Sequence, residues 1–320
     1  MLGQKKILIT RNVPDAVINR ARATYQTTLN NDDEPYGADQ MIELAQGKDA
    51  ILCTLTNDMS RTVIERLPNS ICAIATFSVG YEHIDLEAAR ERGIIVTNTP
   101  GVLTEATADV ALLLILGASR RAREGAEMIA GDWSGWTPTQ LMGLSMQTKR
   151  LGILGMGDIG RACAVRARAF GMEIHYHNRT RLSPELEEGA TYHGSAEELL
   201  KVSDFLSLHC PLSPDTKYFL NEERIALLPP NPVVIHTSRG PVIDDEALIA
   251  ALKSGRVAAA GLDVFDGEPK LNPGYLNCKN AFLLPHLGSA TIETRNAMGF
   301  TALDNLDAVF SGEEPPNKLV

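Results

Sequence analysis

Short apolar, β-branched runs alternate along this chain with longer segments of helical periodicity. The runs that read as strands are Lys6–Thr10, Ala50–Thr54, Ala73–Thr76, Ile94–Thr97, Arg150–Leu154, Glu173–His177, Phe205–His209, Val233–His236, Ala259–Val264 and Ala281–Leu284. Strand–helix alternation sustained over this length implies parallel sheets covered by helices, an α/β architecture. Both halves share the βα rhythm, which suggests two related doubly wound domains. The 320 residues leave room for them. Leu103–Arg121 reads as one long helix with an apolar centre, to be buried between layers and capped by Thr104. Gly131–Met146, with Trp133, Trp136 and Pro138, reads as a long loop, and Lys149 begins a new unit. Ser289–Ser311 is helical in pattern, and Gly312–Val320 reads as surface coil.

Composition narrows the partners. The formal net charge is −10, and an acidic surface repels phosphate backbones and anionic lipid. Neither nucleic acid nor membrane is expected as a partner, and a small anionic substrate must be drawn by a local basic group. The longest apolar run, Val110–Ala118, falls well short of the roughly 18 residues that span a bilayer. The opening strand-like run Ile7–Thr10 is shorter than the roughly 7–15 apolar residues of a secretory signal. Five cysteines (Cys53, Cys72, Cys163, Cys210, Cys278) form no C-x-x-C pair, so neither a disulfide framework nor a zinc site is suggested. The expected setting is cytoplasmic.

The sharpest local signal is Gly155-Met156-Gly157-Asp158-Ile159-Gly160, preceded by an apolar strand and followed by a helical pattern from Arg161 to Phe170. That context is what a dinucleotide fingerprint requires. The first glycine allows the tight turn, the second lets backbone approach the pyrophosphate, and the third lets helix and strand pack closely. The phosphates then face a helix N-terminus. Asn178 lies eighteen residues past Gly160 (178 − 160), where an NAD enzyme carries an acid for the ribose. Here Asn178, Arg179, Thr180 and Arg181 stand instead. With no carboxylate to repel a 2′-phosphate, and with Arg179 and Arg181 to attract it, NADP(H) is the expected cofactor, NAD(H) remaining possible.

Further motifs follow in order: Ser78-Val-Gly-Tyr-Glu-His-Ile-Asp85, His209-Cys210-Pro211, Thr237-Ser238-Arg239-Gly-Pro241, Gly261-Leu-Asp263-Val-Phe-Asp-Gly-Glu268-Pro269 and Leu284-Pro-His286-Leu-Gly288-Ser-Ala-Thr291. Together with the fingerprint they run from Ser78 to Thr291, and the resemblance they carry covers nearly the whole chain. The sequence resembles the D-isomer-specific 2-hydroxyacid dehydrogenases, most closely their glyoxylate/hydroxypyruvate reductase branch. The resemblance implies that Arg239 clamps the carboxylate and carbonyl of a 2-keto acid, whose planar oxygens suit a guanidinium fork. It implies that His286 is the general acid in reduction and the base in oxidation. Glu268 is its partner, expected to raise the imidazole pKa. Backbone N–H groups of Val79 and Gly80 would bind the carboxylate, with Leu55 lining the pocket and Trp136 reaching the active site of a second subunit. Thr107, Met156, Asp158, Ile159, His209, Cys210, Pro211, Thr216, Thr237, Ser238, Asp263 and Gly288 are the further cofactor contacts so implied. The family commonly has Asn where His236 stands, which puts the local hydrogen bonding in question.

Other residues read as structural. His175 and His177 share one strand face and make a poor metal site on their own. His83 reads as a turn element, and Cys210 lacks a base that would make it a nucleophile. The chain order implies a discontinuous substrate domain, 1–101 with 289–320, around a dinucleotide domain at 102–288, with the active site in the cleft between them. A two-fold homodimer is implied by the resemblance. The rival readings are a D-lactate, formate or phosphite dehydrogenase on the same scaffold, and a dinucleotide-sensing corepressor. Formate has no ketone to protonate, so the Glu268–His286 pair favours a keto acid. No regulatory domain is expected after the core, which argues against the longer phosphoglycerate dehydrogenases.

Overall fold

The computed structural model describes residues 4–131 and 133–320. The first three residues of the opening stretch and Asp132 of the tryptophan loop therefore lie outside the description. The chain divides into two compact units: the portion up to Leu103 together with Ala290–Val320, and Thr104–Ser289.

The first unit is built on five parallel strands, β1 (Lys6–Ile9), β2 (Gln26–Leu29), β3 (Ala50–Cys53), β4 (Ala73–Thr76) and β5 (Ile95–Thr97), in the order β2-β1-β3-β4-β5. Leu8 stands beside Ile51, Ile51 beside Ile74, and Ile74 beside Val96. Those residues belong to one core layer, while their neighbours Ile7, Ile9, Leu52, Ala73 and Ala75 belong to the other. Alternate side chains thus feed two cores, one on each face, as a helix-covered parallel sheet demands.

Two expectations change here. β2, Gln-Thr-Thr-Leu, carries no apolar pattern because it is an edge strand: it pairs only with β1 and its side chains stay partly exposed. The tail is not free coil. Leu319 N–H donates to the Val96 carbonyl at 2.8 Å, Lys318 bridges Thr97 antiparallel, and Leu319 and Val320 pack on the core. The outer edge of β5 offers unpaired backbone groups, and the last residues satisfy them.

The second unit has seven parallel strands: β6 (Arg150–Leu154), β7 (Glu173–His177), β8 (Thr191–Tyr192), β9 (Phe205–Leu208), β10 (Val233–His236), β11 (Ala259–Leu262) and β12 (Ala281–Leu283). Their order is β12-β11-β10-β9-β6-β7-β8. The chain reverses direction across the sheet at β6, flanked by β7 and β9. Ligands of open α/β sheets sit outside the carboxyl ends of the strands at such a switch point.

The helix expected over Leu103–Arg121 is two helices, Thr104–Ser119 and Ala122–Ala130, hinged at Arg121 with φ +56°. Thr104 is its first helical residue rather than a cap before it. The loop closes its end: Leu144 N–H donates to the Ser119 carbonyl at 2.8 Å, meeting an acceptor that the helix leaves unpaired. Nor is this helix buried all round. Ala108, Ala111, Leu114, Ile115 and Ala118 face the sheet, but Leu113 is 47% exposed.

Candidate active site

The fingerprint loop leaves β6 through Gly155 at φ +94°, a conformation glycine adopts without strain. Asn178, at the end of β7, braces the loop from below: its Oδ1 accepts from Met156 N–H at 2.6 Å and its Nδ2 donates to the Met156 carbonyl at 3.3 Å. Gly157 begins the helix Asp158–Ala169 with no side-chain cap, and a Cβ there would point into open space. The donors of the first turn therefore await an external acceptor. Gly160 sits tight, since its Cβ would lie 2.6 Å from the Gly155 carbonyl oxygen. These residues fit a pyrophosphate. Gly160→Ala is expected to cost about 1–3 kcal/mol of stability by overpacking and to weaken dinucleotide binding as the loop shifts. Thermal melts and dinucleotide titration check both, and unchanged values would contradict the packing.

Beyond Asn178 the basic cluster separates. Arg181 forms a two-pronged pair with Glu187, at 2.7 and 3.1 Å, and Glu187 also accepts from the Tyr176 hydroxyl at 2.6 Å. Arg181 is therefore paired with a protein carboxylate, which offsets the second positive charge expected there. Arg179 and Thr180 are exposed, and among the described residues Arg179 has no hydrogen bond or ion pair.

The carboxyl ends of β9 and β10 carry two buried histidines. His209 bonds Ser207 Oγ at 2.8 Å and Thr237 Oγ1 at 3.3 Å, and burial pushes its ring down to about 4. Burial likewise lowers His236 to about 4. Both are neutral spacers at ordinary pH. Cys210 is buried with its thiol pushed up to about 12 by desolvation, so it is no nucleophile. Thr216 Oγ1 donates to the Pro211 carbonyl at 2.6 Å and accepts from Ser213 N–H, fixing the loop after β9.

After β11 comes the feature that sets the catalytic geometry. Asp263 is buried, and its carboxylate accepts from Leu287 N–H at 2.6 Å and Gly288 N–H at 2.8 Å. Its own carbonyl accepts from His286 N–H at 2.9 Å, and Thr107 Oγ1 donates to the Gly288 carbonyl at 3.1 Å. Asp263 thereby holds the turn in which His286 takes the left-handed φ of +55°. Burial raises the Asp263 carboxyl above its ordinary range, against the pull of those N–H donors and the nearby His286.

His286 Nδ1 lies 2.7 Å from Glu268 Oε2, and Glu268 Oε1 accepts from Phe265 N–H at 2.8 Å. Burial would raise the Glu268 carboxyl, but the hydrogen bond and charge of His286, the Phe265 N–H and the Arg239 charge hold it below the usual value. A carboxylate can only accept, so Nδ1 carries a hydrogen and Nε2 is left as the proton-exchanging pole. Arg239 is half-buried, with Nη1 donating to the Ser238 carbonyl at 2.8 Å. Arg239, Glu268, His286, Asp263 and the glycine loop thus all lie at strand ends of one sheet.

The remaining predicted residues lie elsewhere. Leu55 follows β3 and Val79 and Gly80 follow β4, all in the first unit. Asn98 Nδ2 donates to the Val79 carbonyl, and Ser78 Oγ donates to that of Gly80. Trp136 is 76% exposed in its loop. His83 lies in a turn, its Nε2 3.2 Å from Thr76 Oγ1. His175 and His177 are joined by His193: Nδ1 of His175 meets its Nε2, and Nδ1 of His177 its carbonyl, each at 2.9 Å. Sequence reasoning missed Phe265, whose contribution is a backbone N–H with no signature in residue type.

The sequence pattern of the D-isomer specific 2-hydroxyacid dehydrogenase NAD-binding domain matches residues 112–288. Glycerate dehydrogenase of Hyphomicrobium methylovorum is 46% identical over 98% of both chains. The chain belongs to the D-isomer specific 2-hydroxyacid dehydrogenases. Glyoxylate reductase of Thermococcus litoralis is 44% identical over 98% of this dehydrogenase and 96% of its own length. Among solved structures, an NADPH-dependent glyoxylate/hydroxypyruvate reductase from Sinorhizobium meliloti, in complex with NADP and malonate, superposes with a TM-score of 0.89. It is 33% identical, over 99% of this chain and 97% of that one. The dehydrogenase is therefore an oxidoreductase with a nicotinamide-dinucleotide-binding unit. Among the described residues, no helix is long and apolar enough to cross a membrane.

Proposed function

We propose that this dehydrogenase reduces a small 2-keto acid of the glyoxylate/hydroxypyruvate type, giving the D-2-hydroxy acid from hydroxypyruvate and achiral glycolate from glyoxylate. The observation that carries the reading is the Glu268–His286 hydrogen bond of 2.7 Å, with the Arg239 charge close enough to act on Glu268. A dinucleotide held by the Gly155–Gly160 loop would supply or take the hydride. Arg239 pairs with the substrate carboxylate and polarises the carbonyl. His286 delivers a proton from Nε2 to the oxygen as it gains negative charge, while Glu268 fixes the ring and stabilises the imidazolium. Relatives named glycerate dehydrogenase and glyoxylate reductase support a small keto acid, because glycerate is reduced hydroxypyruvate. The test is kcat/KM across glyoxylate, hydroxypyruvate, pyruvate, formate and phosphite. Preference for formate or phosphite would overturn the reading, and absence of turnover with all five would favour a dinucleotide-sensing protein.

The preferred cofactor is proposed to be NADPH. A neutral Asn178 replaces the acid that repels a 2′-phosphate, and Arg179 is exposed beside it. Because Glu187 occupies Arg181, Arg179 is the one arginine of this cluster left to bind the phosphate. Arg179→Ala is expected to lower the NADPH-to-NADH ratio of kcat/KM about tenfold, the scale of one charge-assisted hydrogen bond. A wild-type preference for NADH, or an unchanged ratio in the variant, would refute it.

A homodimer is proposed as the working form. Leu113, Ile129, Trp133, Trp136, Met142 and Phe170 are large exposed apolar side chains of the second unit, and apolar surface of this kind marks interfaces. Sedimentation equilibrium distinguishes dimer from monomer. The five free thiols suit a reducing, cytoplasmic setting.

A further inference from the structure

We infer that His236 is a positioning residue for the substrate clamp, fixing the Arg239 guanidinium through the Arg239 backbone carbonyl. The inference rests on the reading of Arg239 as that clamp. His236 ends β10, is 1% exposed, and its Nε2 lies 2.8 Å from the Arg239 carbonyl oxygen. A carbonyl can only accept, so Nε2 carries the hydrogen. The second acceptor position of the same carbonyl is filled by Val242 N–H at 2.9 Å. Nδ1 faces Ser238 Oγ at 3.5 Å. One ring thus meets the turn that follows it at two points, Ser238 Oγ and the Arg239 carbonyl.

The opposite side of the turn is fixed by packing. A Cβ on Gly240 would lie 1.9 Å from the Phe265 carbonyl carbon and 2.3 Å from Asp266 N, so the Arg239–Gly240 backbone is pressed against the Phe265 backbone. Phe265 N–H in turn holds Glu268, which holds His286. The clamp and the acid–base pair therefore share one backbone support, with His236 at its far end. The guanidinium leans on the same turn, since Nη1 donates to the Ser238 carbonyl. A shift of the turn displaces the fork itself. Bidentate recognition is sensitive to such displacement, because both N–H vectors must meet their oxygens at once.

His236→Leu keeps a side chain of similar size and removes the donor. His236→Gln places an amide N–H at the reach of Nε2. The leucine variant is expected to raise KM for glyoxylate about tenfold, the cost of one buried hydrogen bond, with a smaller change in kcat and an unchanged Kd for the dinucleotide. The glutamine variant is expected to restore most of the KM. If the leucine variant fails to fold, the glutamine variant decides: near wild-type KM supports the inference, and a raised KM at wild-type Tm overturns it. A folded leucine variant with wild-type KM also overturns it, as do leucine and glutamine variants equally impaired, because volume alone would then matter. Arg239→Lys in the same series separates the two readings. If it is severely impaired while His236→Leu is normal, only the positioning role falls. If Arg239→Lys is normal, the clamp and the inference fall together.

Discussion

Replacing His286 by alanine is expected to lower kcat by roughly 10²–10⁴-fold, the range for losing a general acid, while the dinucleotide Kd changes little. The two effects separate because of how the turn is built. The backbone of residues 286–288 is held by the Asp263 carboxylate and carbonyl and by Thr107, none of which needs the imidazole. Removing the ring deletes the proton donor and leaves that scaffold, with one penalty, since alanine is found at φ +55° less readily than histidine. His286→Asn tolerates that φ better and supplies no acid, so it should show the same loss of kcat with better stability. Glu268→Gln keeps an acceptor for Nδ1–H but removes the charge that stabilises the imidazolium. Its expected loss is smaller, and it should fall on kcat more than on KM. Near-normal turnover in His286→Ala would remove His286 from the mechanism. Comparable losses in His286→Ala and an Asp263→Asn control, with weakened dinucleotide binding in both, would trace the defect to the turn rather than the proton.

The parts of this site that were legible in the sequence are those in which residue type is itself the chemistry. The glycines of the fingerprint announce close backbone approach. Arg239, Glu268 and His286 announce a cation, a base and a proton carrier, and their order along the chain places them after successive strands. What the sequence hid is held by main chain or by rearranged pairing. The Phe265 N–H that orients Glu268 has no side-chain signature. The Asp263 carboxylate also accepts from the backbone N–H groups of Leu287 and Gly288, partners that residue type does not reveal. Arg181 looked like a second free positive charge because it follows Arg179 by two residues. Glu187, on a one-turn helix six residues later, claims it.

The fold follows the same division. Strands buried on both faces were visible as apolar runs, and β2 was invisible because an edge strand of Gln-Thr-Thr-Leu obeys no apolar pattern. The tail looked like coil because its polar residues outnumber Leu319 and Val320. Its structure comes from the unpaired edge of β5, a feature of the sheet and not of the tail. The long helix was extended past Ser119 because Arg120 and Arg121 are good helix formers. The helix end at Ser119 is met by a loop N–H, that of Leu144, more than twenty residues away in sequence and beyond the reach of local propensity.

Arg239→Lys is expected to reduce kcat/KM for the keto acid by at least about 10²-fold, although the charge is retained. A lysine ammonium is a compact point charge on a flexible stem. It can neutralise the carboxylate but cannot present two parallel N–H groups to oxygens on adjacent carbons. The local structure sharpens this difference. Arg239 Nη1 is anchored on the Ser238 carbonyl at 2.8 Å, so the guanidinium plane is set before substrate arrives. A single ammonium cannot both keep that anchor and serve two substrate oxygens in one plane, and its orientation entropy is lost only on binding. The loss should therefore appear in KM first, through the carboxylate, and in kcat as well, because the carbonyl is no longer polarised as hydride arrives. The Arg239 charge also helps to keep Glu268 ionised. Lysine preserves most of that field, so the proton-transfer limb of the pH–rate profile should move little. In Arg239→Gln, which removes the charge, Glu268 loses one of the influences that lower its pKa, and the acidic limb of the profile should shift to higher pH. A lysine variant with wild-type KM and kcat would show that the fork is not the substrate clamp. A glutamine variant with an unmoved acidic limb would separate Arg239 from the Glu268–His286 pair.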